Sequence, residues 1–383
     1  MSGLPHEAYL ACMAGLPSVG PATLRRLAAL GPVERTWARL RSGRIPGSVL
    51  SGSPSGVDLV ARWSQVARGV DPAQRWAELR SAGVGVTSLG SPGFPDALRG
   101  DPDPPVLLFH LGDPGVLVAP RVAIIGTRRP TGYGVRIAHR LASGLASSGV
   151  CVVSGLALGI DAAAHAGAVG ALDGGGAPPV AVVGSGLDAP CPQPNRALAR
   201  RVAACGMVCS EVPVGVRAAP WRFPVRNRII AAFADVVVVV ESAVTGGSMS
   251  TVEHALSRNR TVLAVPGPVD AASSEGTNRL IADGAGTCTG VDDVLAHLDP
   301  GRVVAAARTS GSPANPRPLP GGLAGRLLEL LGWRPETVDH LIRASGADPR
   351  AFAVALDALA DSGWVVRRDG FVERCPTQRS GGR

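Results

Sequence analysis

Residues 121–165 run RVAIIGTRRPTGYGVRIAHRLASGLASSGVCVVSGLALGIDAAAH, and their periodicity decides the fold. Val122–Ile125 is apolar at every position, as a strand buried on both faces must be. A glycine-bearing loop follows, and from about Val135 to Ser148 apolar residues recur at helical spacing until Gly149 stops them. Val150–Val153 then repeats the strand and Ala162–Ala168 the helix. Downstream, Val180–Val183, Met207–Ser210, Val236–Val240 and Val262–Val265 are further short apolar runs, most followed by helical patterns. Strands without a polar face need cover on both sides, and helical crossovers make them parallel. The expected core is therefore α/β, a Rossmann-like doubly wound, mostly parallel sheet.

Working outward, the 383 residues suggest two or three domains at about 100–200 residues each. Residues 1–75 read as a small helical domain. Within it, LPSVGPATLRRLAAL at 16–30 resembles the turn and helix of a helix-hairpin-helix, with Ser18 where the first glycine usually stands; an ordinary helical bundle is the other reading. Residues 76–300 hold the sheet, and 301–320 form a Pro/Ser/Gly-containing linker. In 321–375, three helical patterns precede a hairpin turning at Asp369-Gly370, the order of a winged helix, before a tail at 376–383. The third of these helices has Asp348 as N-cap, Pro349 at its first position and Gly363 as its stop. It carries Asp348, Asp357 and Asp361 against Arg350 alone, which suits protein docking or dimer support better than a major groove.

The 38 basic groups exceed the 30 acids by eight, and every one of them is arginine. Without lysine there is no Walker A contact to a β/γ-phosphate, no kinase-type strand lysine and no side-chain Schiff base. Phosphates must be held by guanidinium groups, backbone amides and hydroxyls. The excess lies in the flanks, because 76–300 carries 17 Arg and 18 acids. That neutral region is nonetheless polarised: Arg121, Arg128, Arg129, Arg136 and Arg140 fall in an acid-free stretch, and 196–228 holds seven arginines and only Glu211. Such patches point to a specific anionic ligand. Seven scattered cysteines without a CxxC read as buried free thiols in a reducing compartment. No apolar run approaches the ~20 residues of a membrane span, and no signal-peptide pattern opens the chain, so a cytoplasmic protein without membrane insertion is expected.

Five loops follow strands, where a parallel sheet places its ligands. Gly126-Thr127-Arg128-Arg129 leads to a helix whose positive end, with Arg128, suits a phosphate. Ser154-Gly155 opens the second loop, where Asp161 and His165 stand one helical turn apart; with no third ligand in sight, a capping carboxylate and a buried histidine are preferred to a metal site. Gly184-Ser185-Gly186 begins a permissive dinucleotide fingerprint, but Pro190, Pro192 and Pro194 would break the helix it needs. Arg222, Phe223, Arg226, Asn227 and Arg228 interleave charge with one aromatic, as single-stranded nucleic acid requires, although Phe223 could equally be core. Gly246-Gly247-Ser248 offers amides and hydroxyls to an anion.

Together these segments resemble the DNA-processing protein A (DprA/Smf) family. The residues that carry the likeness are Phe94-Pro95, Asp103-Pro104-Pro105, GTRRPTGYG at 126–134, SGLALGIDAAAH at 154–165, GSGLDAPCPQPN at 184–195, SEVP at 210–213, FPVRNRIIA at 223–231, TGGSMSTVEHAL at 245–256 and VPGP at 265–268. The resemblance implies a homodimer that binds and protects single-stranded DNA and helps to load a RecA-type recombinase on it during natural transformation, with neither catalysis nor a required cofactor. Thr127 and Arg128 would hold a phosphate at a helix N-terminus, and Phe223, Arg226 and Arg228 would line the same groove. Many members have a basic residue three positions before that phenylalanine. Here Pro220 stands there, leaving Arg217 or Arg222 to supply the charge. The competing class is a nucleotide phosphoribohydrolase of the "lonely guy" type, whose GGxGTxxE loop Gly246, Gly247 and Glu253 match in spacing, with Met249 in place of the third glycine.

Overall fold

A computed structural model describes residues 3–50, 56–189, 192–309, 320–331, 336–361, 364–368 and 371–374. They form two compact units, Met1–Ser312 and Pro313–Arg383. The first is built on β1 (Gly85–Ser88), β2 (Leu107–Gly112), β3 (Arg121–Ile125), β4 (Cys151–Ser154), β5 (Val180–Val183), β6 (Met207–Ser210), β7 (Val236–Val239), β8 (Thr261–Ala264) and β9 (Gly286–Thr287). Across the sheet their order is β1-β2-β6-β5-β4-β3-β7-β8-β9. From β6 to β9 the neighbours are parallel, whereas β2 joins β6, and β1 joins β2, antiparallel.

Alternation along each strand explains the double winding. In β3, Val122 and Ile124 enter one core with Ala138, Leu141 and Leu145 of helix Gly132–Ser147, while Ala123 and Ile125 enter another with Ile229, Ile230 and Phe233 of helix Arg222–Phe233. β7 divides its valines the same way, 236 and 238 against 237 and 239. Neither face is left for water, which is why Val122–Ile125 and Val236–Val239 carry no polar residue. The parallel α/β core matches the sequence expectation, and the antiparallel edge of β1 and β2 is additional to it.

The helices between residues 6 and 81 close that edge. Met13, Leu24, Leu27, Leu40 and Trp63 share a core with Leu107 and Phe109 of β2, Val183 of β5 and Val208 of β6. The boundary placed at residue 75 is thus a change of secondary structure inside one packed unit. Ser18, in the turn between helices His6–Ala14 and Pro21–Ala28, has φ 60°, the left-handed conformation that glycine favours. One boundary needs correction: the first residues of the expected linker form helix Pro300–Thr309, because alanine, valine and arginine there sustain a helix. Residues 310–319 lie outside the described residues, as do Pro190, Gly363 and the Asp369-Gly370 turn.

The second unit has helices Gly322–Leu331, Val338–Ser345 and Pro349–Asp361 with β10 (Glu336–Thr337), β11 (Val365–Arg368) and β12 (Phe371–Arg374) ordered β10-β12-β11, a winged helix. Asp348 caps the third helix by accepting from the Arg350 and Ala351 amides, each at 3.1 Å. Phe352, Leu356 and Leu359 share one core with Leu327, Leu331 and Trp364.

Candidate nucleic-acid interface

Open parallel sheets bind ligands beyond the strand C-termini, where the chain reverses its progress across the sheet. Here the chain moves from β3 through β4 and β5 to β6, then returns to β7 on the other side of β3. The reversal therefore lies between β3 and β7. The loops leaving these two strands line a cleft of about 530 Å³. Gly126, Thr127, Arg128 and Arg129 contribute from one loop, and Ser242, Gly246, Gly247 and Ser248 from the other. Helix Arg222–Phe233 presents Phe223, Asn227 and Ile230 to the same cleft, since spacings of four and three residues lie on one helical face.

At its centre the Arg128 guanidinium sits 4.7 Å from the centroid of the half-buried Phe223 ring. Arg128 is exposed and has no carboxylate partner among the described residues, so its charge is available. A planar cation over a ring combines phosphate binding with a surface on which a base can stack. Asn227 fixes the opposite loop, its Nδ2 donating to Ser250 Oγ at 2.7 Å and to the Gly247 carbonyl at 3.3 Å. Among the described residues the Gly247 and Ser248 amides have no acceptor, which leaves two donors at the loop's edge.

One expected contact is replaced. The start of helix Gly132–Ser147 does not face a ligand, because the buried Glu241 occupies it. The Thr131 amide and hydroxyl donate to the two Glu241 carboxylate oxygens at 2.9 and 2.5 Å, and a β-carbon at Gly134 would overlap that carboxylate. The positive end of this helix is neutralised internally. An anion at the 126–129 loop is left with Arg128 and the Thr127 hydroxyl, since the Thr127 and Arg129 amides already donate to the Glu241 carbonyl and to Thr127 Oγ1. Glu241 was legible only as the first acid after a valine strand, a signal too common to act on.

Other expected site residues lie elsewhere. Ser154 is buried and donates to the Ile124 carbonyl at 2.7 Å, tying β4 to β3, and the Gly155 amide donates to Asp161. Ser185 donates to the Ala189 carbonyl, the Gly186 amide to Val216, and Gly184 packs beneath Arg222 and the Phe223 ring. All five residues are absent from the cleft lining, although the loop after β4 reaches it further on, at Ala157 and Asp161. No helix opens within 184–189, and the next α-helix begins at Arg196 after a 3-10 turn at Gln193–Asn195, so the dinucleotide fingerprint lacks its phosphate-binding end.

The arginines divide sharply. Arg228 turns inward, its Nη2 donating to both Glu211 carboxylate oxygens at 2.7 Å and its Nε 3.1 Å from Asp103, and does not line the cleft. Two residues along a helix is a turn of about 200°, so Arg228 and Arg226 cannot share a face. Arg226 reaches the cleft wall, but its head is buried and donates to the Gly155 carbonyl at 2.8 Å and to that of Val182. Burial lowers its pKa to about 10, against the neighbouring Asp161 that raises it. It is a charged brace across the ends of β4 and β5. Neither Arg217 nor Arg222 lines the cleft: Arg222 lies over Trp221 and donates to the Arg217 carbonyl at 2.7 Å. The cation beside Phe223 is Arg128.

His165 is the buried histidine expected, whereas Asp161 caps no helix: helix Ile160–Gly170 has no side-chain cap, and the carboxylate closes the loop before it. Asp161 accepts from the Gly155 and Ala157 amides at 3.1 and 3.3 Å, and burial raises its pKa in spite of them and of Arg226. Both His165 ring nitrogens are buried without a partner, and desolvation lowers its pKa from 6.5 to about 3. No group of three His, Cys, Asp or Glu side chains among the described residues is placed to hold a metal. Because the folded state resists protonating this ring, its contribution to stability is complete above pH 6.5 and is lost as the pH falls toward 3. His165→Leu should therefore gain on the wild type by roughly 1 kcal/mol in unfolding free energy between pH 6 and pH 5. Parallel urea-unfolding curves across that interval would refute the assignment.

Two enzyme-like arrangements dissolve on inspection. Ser88 Oγ meets His6 Nε2 at 2.7 Å and Glu7 at 3.0 Å, but Glu7 approaches the same His6 nitrogen rather than orienting the other, and Ser88 is fully buried. Glu253 is exposed on helix Met249–Leu256 and outside the cleft lining, so the hydrolase spacing does not bring its acid to the site.

Comparison with known proteins gives the same picture. The family model for DNA recombination-mediator protein A matches residues 85–299, and the DprA winged helix domain model matches 311–370. A Mycobacterium tuberculosis protein described as a putative DNA processing protein DprA is 39% identical over 277 residues, 70% of this chain and 68% of its own. The X-ray structure of DprA from Streptococcus pneumoniae aligns with a TM-score of 0.63 at 31% identity, covering 78% of this chain and 99% of that one. A Helicobacter pylori DNA processing protein A, whose structure was described for its single-stranded DNA binding mode, aligns at 0.50 and 30% identity over 55% of this chain and 94% of its own. With one family model spanning the sheet and its cleft loops and a second spanning the winged helix, the chain belongs to the DNA recombination-mediator protein A family.

Proposed function

We propose that the β3/β7 cleft binds single-stranded DNA of any sequence, and that the protein protects the strand and assists loading of a RecA-type recombinase on it. The observation that carries this reading is Arg128 stacked over Phe223 between the two cleft loops. The guanidinium and the Gly247 and Ser248 amides answer phosphates, the ring answers a base face, and Asn227, engaged with Gly247 and Ser250, is not left to read base edges. Likeness to the Helicobacter pylori protein supports the choice of ligand. In this reading the protein works in the cytoplasm as a homodimer, without catalysis or a cofactor.

The test is a gel shift of the full-length chain and a Met1–Ser312 truncation against single- and double-stranded oligonucleotides of equal length. Both forms should prefer the single strand, with the preference retained by the truncation because the cleft lies wholly within that unit. Equal or tighter binding of duplex would overturn the reading. Sedimentation at micromolar concentration tests the dimer, which a strictly monomeric species would exclude.

A further inference from the structure

The start of helix Arg222–Phe233 divides two depressions. Phe223 faces the cleft, whereas Trp221, Arg222 and Val225 line a smaller one whose far wall is Pro21 and Leu24. Trp221 is 56% exposed, while Trp37, Trp63 and Trp364 are at most 3% exposed. The Arg222 guanidinium lies 4.9 Å from the Trp221 ring centroid, so the pairing of Arg128 with Phe223 recurs two residues away. The acid of this depression, Glu211, is already neutralised by Arg228. Arg222, which lines it, is left without a carboxylate partner among the described residues.

We propose that Trp221 with Arg222 is a second stacking station for the same DNA strand, which leaves the cleft over Pro220. This rests on the single-strand reading of the cleft. Two residues separate the rings along the chain, at most about 7 Å of backbone, which is within reach of neighbouring nucleotides. An open indole beside an arginine suits unpaired bases of any identity, since every base has a π-face. Pro220 lines the cleft and immediately precedes Trp221, so the two surfaces are continuous.

Tryptophan fluorescence of the full-length protein reads this directly on titration with oligo(dT) of about 20 residues, a length ample for one binding groove. The wild type should be quenched on binding. Trp221→Phe should keep its affinity within about twofold yet lose most of the quench, and Trp221→Ala should bind about five- to tenfold more weakly. If the wild type binds but Trp221→Phe is quenched as strongly and Trp221→Ala binds as tightly, the second station is wrong and the cleft reading stands. If folded wild type does not bind the strand at all, the cleft reading falls and this inference with it.

Discussion

Replacing Arg128 with alanine is expected to weaken binding of a single-stranded oligonucleotide by roughly 30-fold or more at low salt, through loss of one charge-assisted phosphate contact and of the cation over Phe223. The factor should be similar for oligo(dT) and for mixed sequences, because a guanidinium on a phosphate carries no sequence information. The plot of log affinity against log salt should flatten by about 0.7, the counterion release of one single-strand phosphate. Arg228→Ala, by contrast, should leave that slope unchanged in protein that remains folded. Anisotropy titrations at several salt concentrations check both statements. An Arg128→Ala variant with wild-type affinity and slope would remove the cleft from DNA binding.

The largest effect on stability is expected at Arg228. Its guanidinium is buried against Glu211 and shares Asp103 with Arg25, so one cluster ties helix Pro21–Ala28, the segment before β2 and helix Arg222–Phe233 together. Truncation to alanine strands the buried Glu211 carboxylate, whose pKa burial already raises and Arg228 pulls back. The unfolding free energy should fall by about 3–5 kcal/mol in urea denaturation. Adding Glu211→Gln should recover part of the loss, since the uncompensated charge disappears with it. Arg228→Lys should rescue poorly, because one ammonium cannot reach Glu211 and Asp103 together, which the guanidinium does with its Nη2 and Nε. A loss below about 1 kcal/mol for Arg228→Ala would mean that the cluster is an incidental surface arrangement.

These two arginines also mark where sequence reading succeeds and stops. The parallel core was legible because Val122–Ile125, Val180–Val183 and Val236–Val239 lack any polar position, which leaves burial on both faces as the one solution. Antiparallel β2 was not, since Leu107–Gly112 contains His110 and follows a proline-rich turn, and nothing local states which edge it joins. At the site, the loops after β3 and β7 were identifiable from their glycines. Choosing them over the equally glycine-rich loops after β4 and β5 required the strand order, which a sequence does not print. Within FPVRNRIIA the sequence could not say which arginine faces inward, because the helix is covered on several sides. Of the acids that claim Arg228 and Arg258, Asp103 and Asp101 lie far away in the chain, and Glu211 stands 17 residues before Arg228, outside its helix. Arginine concentrated near the site thus overstated the charge available to a ligand, and much of it proves to be internal bracing.

The Glu241 carboxylate behind Thr131 has a consequence for competition. A cell contains free mononucleotides and dinucleotides at high concentration, and the strand-to-helix turn of an α/β sheet ordinarily grips one such molecule by its phosphates. With that pole already holding a carboxylate, a lone nucleotide gains too little from the remaining contacts to stay bound. A polymer is different: once one of its phosphates is seated, the next is delivered at high effective concentration, so weak contacts in a row sum to a stable complex. For the proposed ligand, selectivity for strands over their monomers would come from the internal acid making each single phosphate contact weak.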